Sequence, residues 1–345
     1  MAGYGVGVIG TGWVAGEHLR AWCANPHAEV LGVVSRSRES AQRKIEEVGV
    51  GCRIYDSYDQ MLADPNINIV SICTPPDQHV ENAVAAAEAG KHICLEKSIA
   101  LDLESLQRLR DAVRKAKVKT VVSFVLRWNP MFETVKALLA DNTIGRIFYA
   151  ESDYYHGIGP WYKQFAWNTK KSVGASSLLS AGIHAVDALR WFTGSEADEV
   201  MALSTRGNAE PFQVYEYEPT TILMARFKDG TLAKCASSIE NKSPYVFNVW
   251  LLGTEGSIRN NEIWAKNKYP GQKSWVSYPT VLPDSGDVTH HPFQLEIDHF
   301  VDCIINDRES HTNVEDAAKT HELVLAADMS AAQGGKPVKL PLLRD

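Results

Sequence analysis

The sequence predicts an α/β protein, in which a parallel sheet covered on both faces is followed by an α+β domain with a large open, mostly antiparallel sheet. Three observations carry this. Over the first third of the chain, short and fully apolar strand-like runs alternate with helical patterns, as parallel strands buried under crossover helices require. After about residue 126 that rhythm stops, and strand-like runs follow one another without helices between them. The length of 345 residues also exceeds what one core usually serves, because single cores seldom grow past ~250–300 residues. We therefore divide the chain into domains 1–125 and 126–345.

In the first domain, β-branched apolar runs at 4–10, 28–35, 67–73, 91–95 and 119–125 read as strands. Helical patterns at 17–25 and 39–48 follow the first two strands. A third, at 77–89, is alanine-rich and stops at Gly90; a fourth, at 103–117, follows Asp102, a good N-cap. The second domain opens with a helix at 130–141 that has proline in its first turn, then a strand at 146–156. A strongly amphipathic helix is expected at 178–192, closed by Thr193-Gly194. Strands follow at 198–206, 220–228, 231–239, 245–253 and 256–260, with Asp229-Gly230 centring a hairpin turn. Helices at 293–306 and 315–333 return the chain, the last stopped by Gly334-Gly335. The open face of such a sheet needs covering, which implies a homo-oligomer, dimer or tetramer.

Composition excludes several classes. Hydrophobic content of 45% and charged content of 22% are ordinary for a globular enzyme. A formal charge of -7, with no stripe of Lys and Arg, argues against nucleic acid as a partner. The six cysteines form no C-x-x-C pair, and Cys73 and Cys94 lie in apolar runs as small buried hydrophobes, which fits a reducing compartment. The N-terminus opens directly into a strand rather than an export signal. No apolar run approaches the ~20 residues that span a bilayer, so a cytoplasmic protein without a membrane partner is expected.

The most specific motif is Gly10-Thr11-Gly12-Trp13-Val14-Ala15, which follows the first strand and opens a helix. Gly10 permits the tight turn, Gly12 lets the backbone approach a pyrophosphate, and the small third position lets helix and strand pack. In a βαβ setting this is the dinucleotide-binding turn of a Rossmann domain; incidental glycines are the alternative. The second strand ends Val34-Ser35-Arg36-Ser37-Arg38. It lacks the acid that would bind a ribose 2′-hydroxyl, while a serine hydroxyl and a guanidinium suit a 2′-phosphate. NADP is therefore the preferred cofactor and NAD a possible one; alternatively, Arg36 stacks on the adenine of either.

Two further segments carry chemistry. Lys97 stands beside Glu96 at a strand terminus, where a partly closed pocket can lower its proton affinity and let it donate to a substrate oxygen. A surface lysine is the competing reading. On the later helix, Ser180, His184 and Asp187 share one face at spacings of four and three. A histidine there suits taking a proton as hydride leaves an alcohol carbon, and a buried structural histidine is its rival. Aromatic residues crowd the preceding segment (Tyr154, Tyr155, His156, Trp161, Tyr162, Phe165 and Trp167), as stacking on sugar rings requires; a sheet edge or subunit interface would also use them. His290-His291 lack metal-ligand spacing, and no metal is assigned.

Together these residues resemble the Gfo/Idh/MocA family of sugar and polyol oxidoreductases over essentially the whole chain. The order matches: the glycine loop, then Thr74-Pro75-Pro76-Asp77-Gln78-His79, then Ala89-Gly90-Lys91-His92 leading to Glu96-Lys97, and last Gly182-Ile183-His184 with Asp187. The resemblance implies that Lys97 hydrogen-bonds the reacting oxygen, that His184 is the acid/base, and that Asp187 holds a substrate hydroxyl, with Ser180, Trp161 and Tyr155 lining the same substrate. It implies that Thr74, Pro75 and His79 border the cofactor, that Glu96 lies beside the nicotinamide ribose, and that Arg127 and Trp167 contact cofactor or substrate.

Two departures stand out. Ser98 replaces the proline that usually follows Glu-Lys, and Ser180 stands where many members carry Asp, so the proton relay must differ or the substrate must supply another group. The expected function is hydride transfer between nicotinamide and a secondary hydroxyl or ketone of a sugar, polyol or glycoside. The alternatives are glycoside cleavage by transient oxidation on a tightly bound dinucleotide and a non-catalytic dinucleotide sensor. Retention of Lys97 and His184 argues against the sensor.

Overall fold

Six strands, all paired in parallel, make the first sheet: β1 (Tyr4–Ile9), β2 (Ala28–Val34), β3 (Arg53–Ile54), β4 (Ile67–Ile72), β5 (His92–Leu95) and β6 (Thr120–Val122), in the order β3-β2-β1-β4-β5-β6. The computed structural model describes residues 3–283 and 291–344, so His290 lies outside the described residues. Helices α1 (Trp13–Ala24), α2 (Arg38–Val48), α3 (Tyr58–Ala63), α4 (His79–Glu88) and α5 (Leu103–Ala116) connect the strands. Local chemistry explains their ends. Asp102 accepts from the Ser105 N–H at the start of α5, and Gly49 closes α2 in the left-handed region at φ 76°. The strand order reverses beside β1, and the β1–β4 crevice at a switch point is where open α/β sheets bind ligands.

Among the described residues the second sheet has nine strands: β7 (Ile147–Tyr155), β8 (Ala197–Thr205), β9 (Thr220–Phe227), β10 (Leu232–Ser238), β11 (Val246–Gly253), β12 (Ser257–Arg259), β13 (Glu262–Trp264), β14 (Val276–Ser277) and β15 (Val338–Lys339). Their order is β14-β13-β12-β11-β7-β10-β9-β8-β15, antiparallel except for the β7–β10 pair. Gly230, at φ 88°, supplies the turn between β9 and β10. The remaining helices are α6 (Pro130–Ala140), α7 (Phe165–Asn168), α8 (Ile183–Thr193), α9 (Phe293–Ile305) and α10 (Val314–Ala332). Strand alternation gives the sheet one core face and one open face: on β9, Leu223, Ala225 and Phe227 are buried while Ile222 and Met224 are exposed. No helix among the described residues is long and apolar enough to cross a membrane.

The structure corrects the sequence reading in two places. The chain falls into one compact unit up to Val125 together with Pro292–Ala318, and a second of Leu126–His291 with Lys319–Asp345. Residues 292–318, assigned by sequence to the second domain, therefore belong to the first. Helix α9 buries Phe293, Ile297 and Phe300 there, Phe300 lying edge-on to Trp22 of α1 at 6.5 Å. The Val122 N–H donates to the Thr312 carbonyl, and Arg110 and Arg114 both grip Glu315. The helix expected at 178–192 also differs. It opens with a π-helical turn, Leu178–Gly182, before α8, and it is buried nearly all round rather than amphipathic.

Candidate active site

In the first unit, the glycine turn has the shape that a dinucleotide needs. Gly10 sits at φ 91°, and a Cβ there would lie 2.6 Å from the Cys73 carbonyl oxygen, so only glycine fits. A Cβ on Gly12 would meet nothing nearer than 4.0 Å, leaving open space where a phosphate approaches. Gly12 caps α1 with no side-chain hydrogen bond, and the first turn carries no acidic residue, so its N–H groups remain available for an anion. Ala15 is fully buried against the sheet. Thr11 Oγ1 lies 2.7 Å from Ser35 Oγ and 2.9 Å from Ser40 Oγ, tying the loop to the end of β2. Trp13 is exposed and Val14 half-buried, while Arg36 projects into solvent just beyond β2. These residues fit the binding of a nicotinamide dinucleotide.

Thr74 and Pro75 follow β4 in the same crevice. His79, expected to border the cofactor, is fully buried, with Nδ1 2.8 Å from the Ser98 carbonyl and Nε2 2.7 Å from the Thr74 carbonyl. Both ring nitrogens face backbone carbonyls, so the side chain braces the loop between Thr74 and Ser98. Glu96 is buried at the end of β5, its Oε1 3.0 Å from His18 Nε2. Burial pushes its proton affinity up, but His18, Lys97 and His79 outweigh that and hold the carboxyl below its ordinary value. Lys97 is half-buried; burial lowers its proton affinity and Glu96 opposes the change. A lysine whose proton affinity is lowered in this way is a better proton donor to an oxygen placed beside it.

In the second unit, His184 is the one residue of 181–190 that is not buried. Its ring stacks on Tyr154 at 6.5 Å and 23°. Tyr154 Oη lies 3.4 Å from His156 Nδ1, and His156 Nε2 lies 2.8 Å from Tyr162 Oη, with Tyr245 edge-on to both Tyr154 and His156. This wall of rings with polar edges suits the faces and hydroxyls of a sugar. Tyr155 does not join it. Strand alternation sends it to the face of β7 opposite Tyr154, so it and Tyr154 cannot line one surface. Trp161 is 65% exposed, edge-on to Phe212, and Trp167 is half-buried on α7.

Three further expectations are corrected. Asp187 does not face a substrate: Arg127 Nε and Nη2 donate to its two oxygens at 2.7 and 2.6 Å, Thr320 adds a third bond at 2.9 Å, and both charged side chains are buried. Arg127 is thereby removed from cofactor contact, its guanidinium also lying 4.5 Å over the Trp191 ring. Ser180 Oγ donates to Asn168 Oδ1 at 2.7 Å, so its proton braces α7 rather than a substrate hydroxyl. From the same aromatic segment the sequence reading chooses Tyr155 and Trp161 for the substrate and passes over Tyr154, His156 and Tyr162; period-two alternation along β7 is the signal that separates Tyr155 from Tyr154 and His156.

Comparison with known proteins decides the family. Residues 4–124 match the oxidoreductase family with an NAD-binding Rossmann fold, and residues 132–259 match the GFO/IDH/MocA C-terminal domain. The chain belongs to the GFO/IDH/MocA oxidoreductase family. An oxidoreductase of Rhizobium meliloti is 30% identical over 258 residues, covering 73% of this chain and 72% of that protein. The NAD(+)-dependent scyllo-inositol 2-dehydrogenase of Bacillus subtilis is 27% identical over 341 residues, covering 98% and 96%. The fold matches a levoglucosan dehydrogenase solved with NADH and L-sorbose, at a TM-score of 0.89 and 23% identity, over 99% of this chain and 100% of that one. This GFO/IDH/MocA member is thus an NAD-binding oxidoreductase among sugar and polyol dehydrogenases.

Proposed function

We propose that the protein transfers a hydride between nicotinamide and a secondary hydroxyl or ketone of a sugar, polyol or glycoside. The observation that carries this is Lys97, a half-buried lysine beside a buried carboxylate at a strand end, with its proton affinity lowered by burial. A bound nicotinamide dinucleotide supplies the two-electron acceptor or donor. Lys97 hydrogen-bonds the reacting oxygen, stabilising charge as the O–H proton leaves. His184, accessible on an otherwise buried helix, exchanges that proton with solvent. Tyr154, His156 and Tyr162 line the wall against which a ring would stack. A Lys97→Met variant should bind cofactor as the parent does yet lose turnover by about 10²–10⁴-fold, the usual contribution of a positioned proton donor. Retained turnover contradicts the role.

NADP is the preferred cofactor in this reading. No acid ends β2, and the Ser35 hydroxyl and the exposed Arg36 that follow it support a preference for a 2′-phosphate. Fluorescence titration with NADPH and NADH tests this, and tighter NADH binding contradicts it. A second copy of the chain covers the open sheet face, where Met201, Leu203, Ile222, Met224 and Leu232 are exposed together. All six cysteines are thiols, which supports a reducing, cytoplasmic setting.

A further inference from the structure

Behind the Glu96–Lys97 segment lies a histidine that the proposed chemistry does not use. His18 is fully buried in the second turn of α1, the helix opened by the glycine loop. Its Nε2 is 3.0 Å from Glu96 Oε1 and its Nδ1 is 2.9 Å from Ser71 Oγ. An ionised carboxylate can only accept, so Nε2 carries a proton and donates it to Glu96. The ring packs 5.1 Å from that of Phe293 on α9. One side chain thereby joins the helix after the glycine loop to the C-terminal end of β4 and to the end of β5.

Packing alone does not ask for an imidazole here. The neighbouring buried residues of α1 are Ala15, Leu19 and Trp22, and an aliphatic side chain would continue that face. Burying a polar ring costs free energy unless each nitrogen is bonded, and burying a carboxylate costs more unless it is paired. His18 and Glu96 satisfy each other. We infer that His18 is a positioning residue for Glu96 and, through it, for Lys97: its Nε2–H holds the Glu96 carboxylate in place at the end of β5, immediately before Lys97 in the chain. The inference rests on the reading in which Lys97 handles the proton.

The charges around the pair agree. Facing His18 are Cys73 and Ser71 from β4 and the segment after it, Cys94 and Glu96 from β5 and its end, and Glu296 from α9; Cys94 Sγ lies 3.8 Å from Nδ1. Burial opposes the imidazolium, but Cys73, Cys94 and Glu96 outweigh it and lift the ring well above its ordinary value. Facing Glu96 are His18, Lys97 and His79. Because burial lowers the Lys97 proton affinity and Glu96 raises it, loss of the Glu96 charge must lower it further.

The test follows the acylation rate of Lys97 against pH in the full-length protein without cofactor, by competitive labelling and mass spectrometry, alongside kcat and KM. His18→Leu should move the Lys97 midpoint down by about one pH unit or more. It should also lower kcat about tenfold to a hundredfold, the loss expected for one charge-assisted hydrogen bond, with KM for the sugar little changed. His18→Gln, which can donate to Glu96 without charge, should fall between Leu and the parent. Glu96→Gln should reproduce the midpoint shift, and adding His18→Gln to it should cost little more, because the histidine acts through that carboxylate.

A Lys97 midpoint unmoved in either folded His18 variant, or additive losses in the double variant, overturns the inference. If His18→Leu does not fold, His18→Gln and the double-variant cycle decide alone. The two failures are distinct: full turnover in Lys97→Met removes the proton role of the lysine, whereas an unmoved midpoint removes the positioning role of His18.

Discussion

Replacing Asp187 by asparagine removes the charge that answers Arg127 while keeping the side-chain volume. The two side chains are 2% and 4% exposed, and two short bonds of 2.7 and 2.6 Å join them. Breaking a buried pair of this kind leaves a guanidinium without its counter-charge and costs about 3–5 kcal/mol. In a folding unit of about 200 residues each kcal/mol lowers Tm by about 2–4 °C, so the variant should melt roughly 6–20 °C below the parent. The Trp191 face, 4.5 Å from the guanidinium, remains to receive the cation and favours the lower end. Differential scanning calorimetry reads the shift. Substituting both partners, Arg127→Met with Asp187→Leu, should recover most of it, because a buried ion pair often exchanges for apolar residues at little cost. The same variant separates the structure from the sequence reading. If Asp187 held a substrate hydroxyl instead, Asp187→Asn would raise KM and leave Tm within a degree or two, and that result refutes the reasoning.

Other outcomes follow from individual sites. Glu296 is fully buried, accepts one bond from Ser123, and has its carboxyl pushed up to about 7 by burial. The folded state therefore holds a proton that the unfolded state releases, so its stability declines as pH rises from about 4.5 to about 7. Denaturation at pH 5 and pH 8 should show Glu296→Gln gaining stability only at pH 8; equal effects at both contradict the shift. Gly10→Ala should abolish dinucleotide binding and lower Tm, since its Cβ meets the Cys73 carbonyl at 2.6 Å and φ is 91°; binding unchanged in a titration would contradict the turn geometry. Met224→Lys, on the open face, should shift the protein toward monomer in light scattering, and an unchanged mass would remove that face from the interface.

Much of the fold was legible because it rests on local rules. The strands of the parallel sheet are apolar runs closed by turn residues, and Asp102, Pro130, Gly194 and Gly230 mark ends by their own conformational chemistry. Some elements of two to six residues escaped, among them β3, α3, β13 and β15, because they are too short to show a period and sit in no extended β-branched run. The placement of α9 escaped for another reason. Its apolar stripe announces that a core exists but not which one, and only Trp22 and His18, far away in sequence, decide it. The candidate site shows the same division. Glycine-loop geometry and the Glu96-Lys97 pair follow from nearby residues. The fate of Asp187 depends on Arg127, sixty positions earlier, and that of Ser180 on Asn168 across a turn, neither of which spacing on one helix reveals. Tyr155 was a different matter, since alternation along β7 already separates it from Tyr154.

The most direct test of the central claim offers the protein a panel of sugars, polyols and glycosides with NADP and NAD, following nicotinamide absorbance and released aglycone in the same cuvette. Hydride transfer from a secondary carbinol to the oxidised nicotinamide predicts that reduced nicotinamide accumulates in step with substrate consumed, and that the Lys97→Met variant is silent. Aglycone released without net reduced nicotinamide would contradict it.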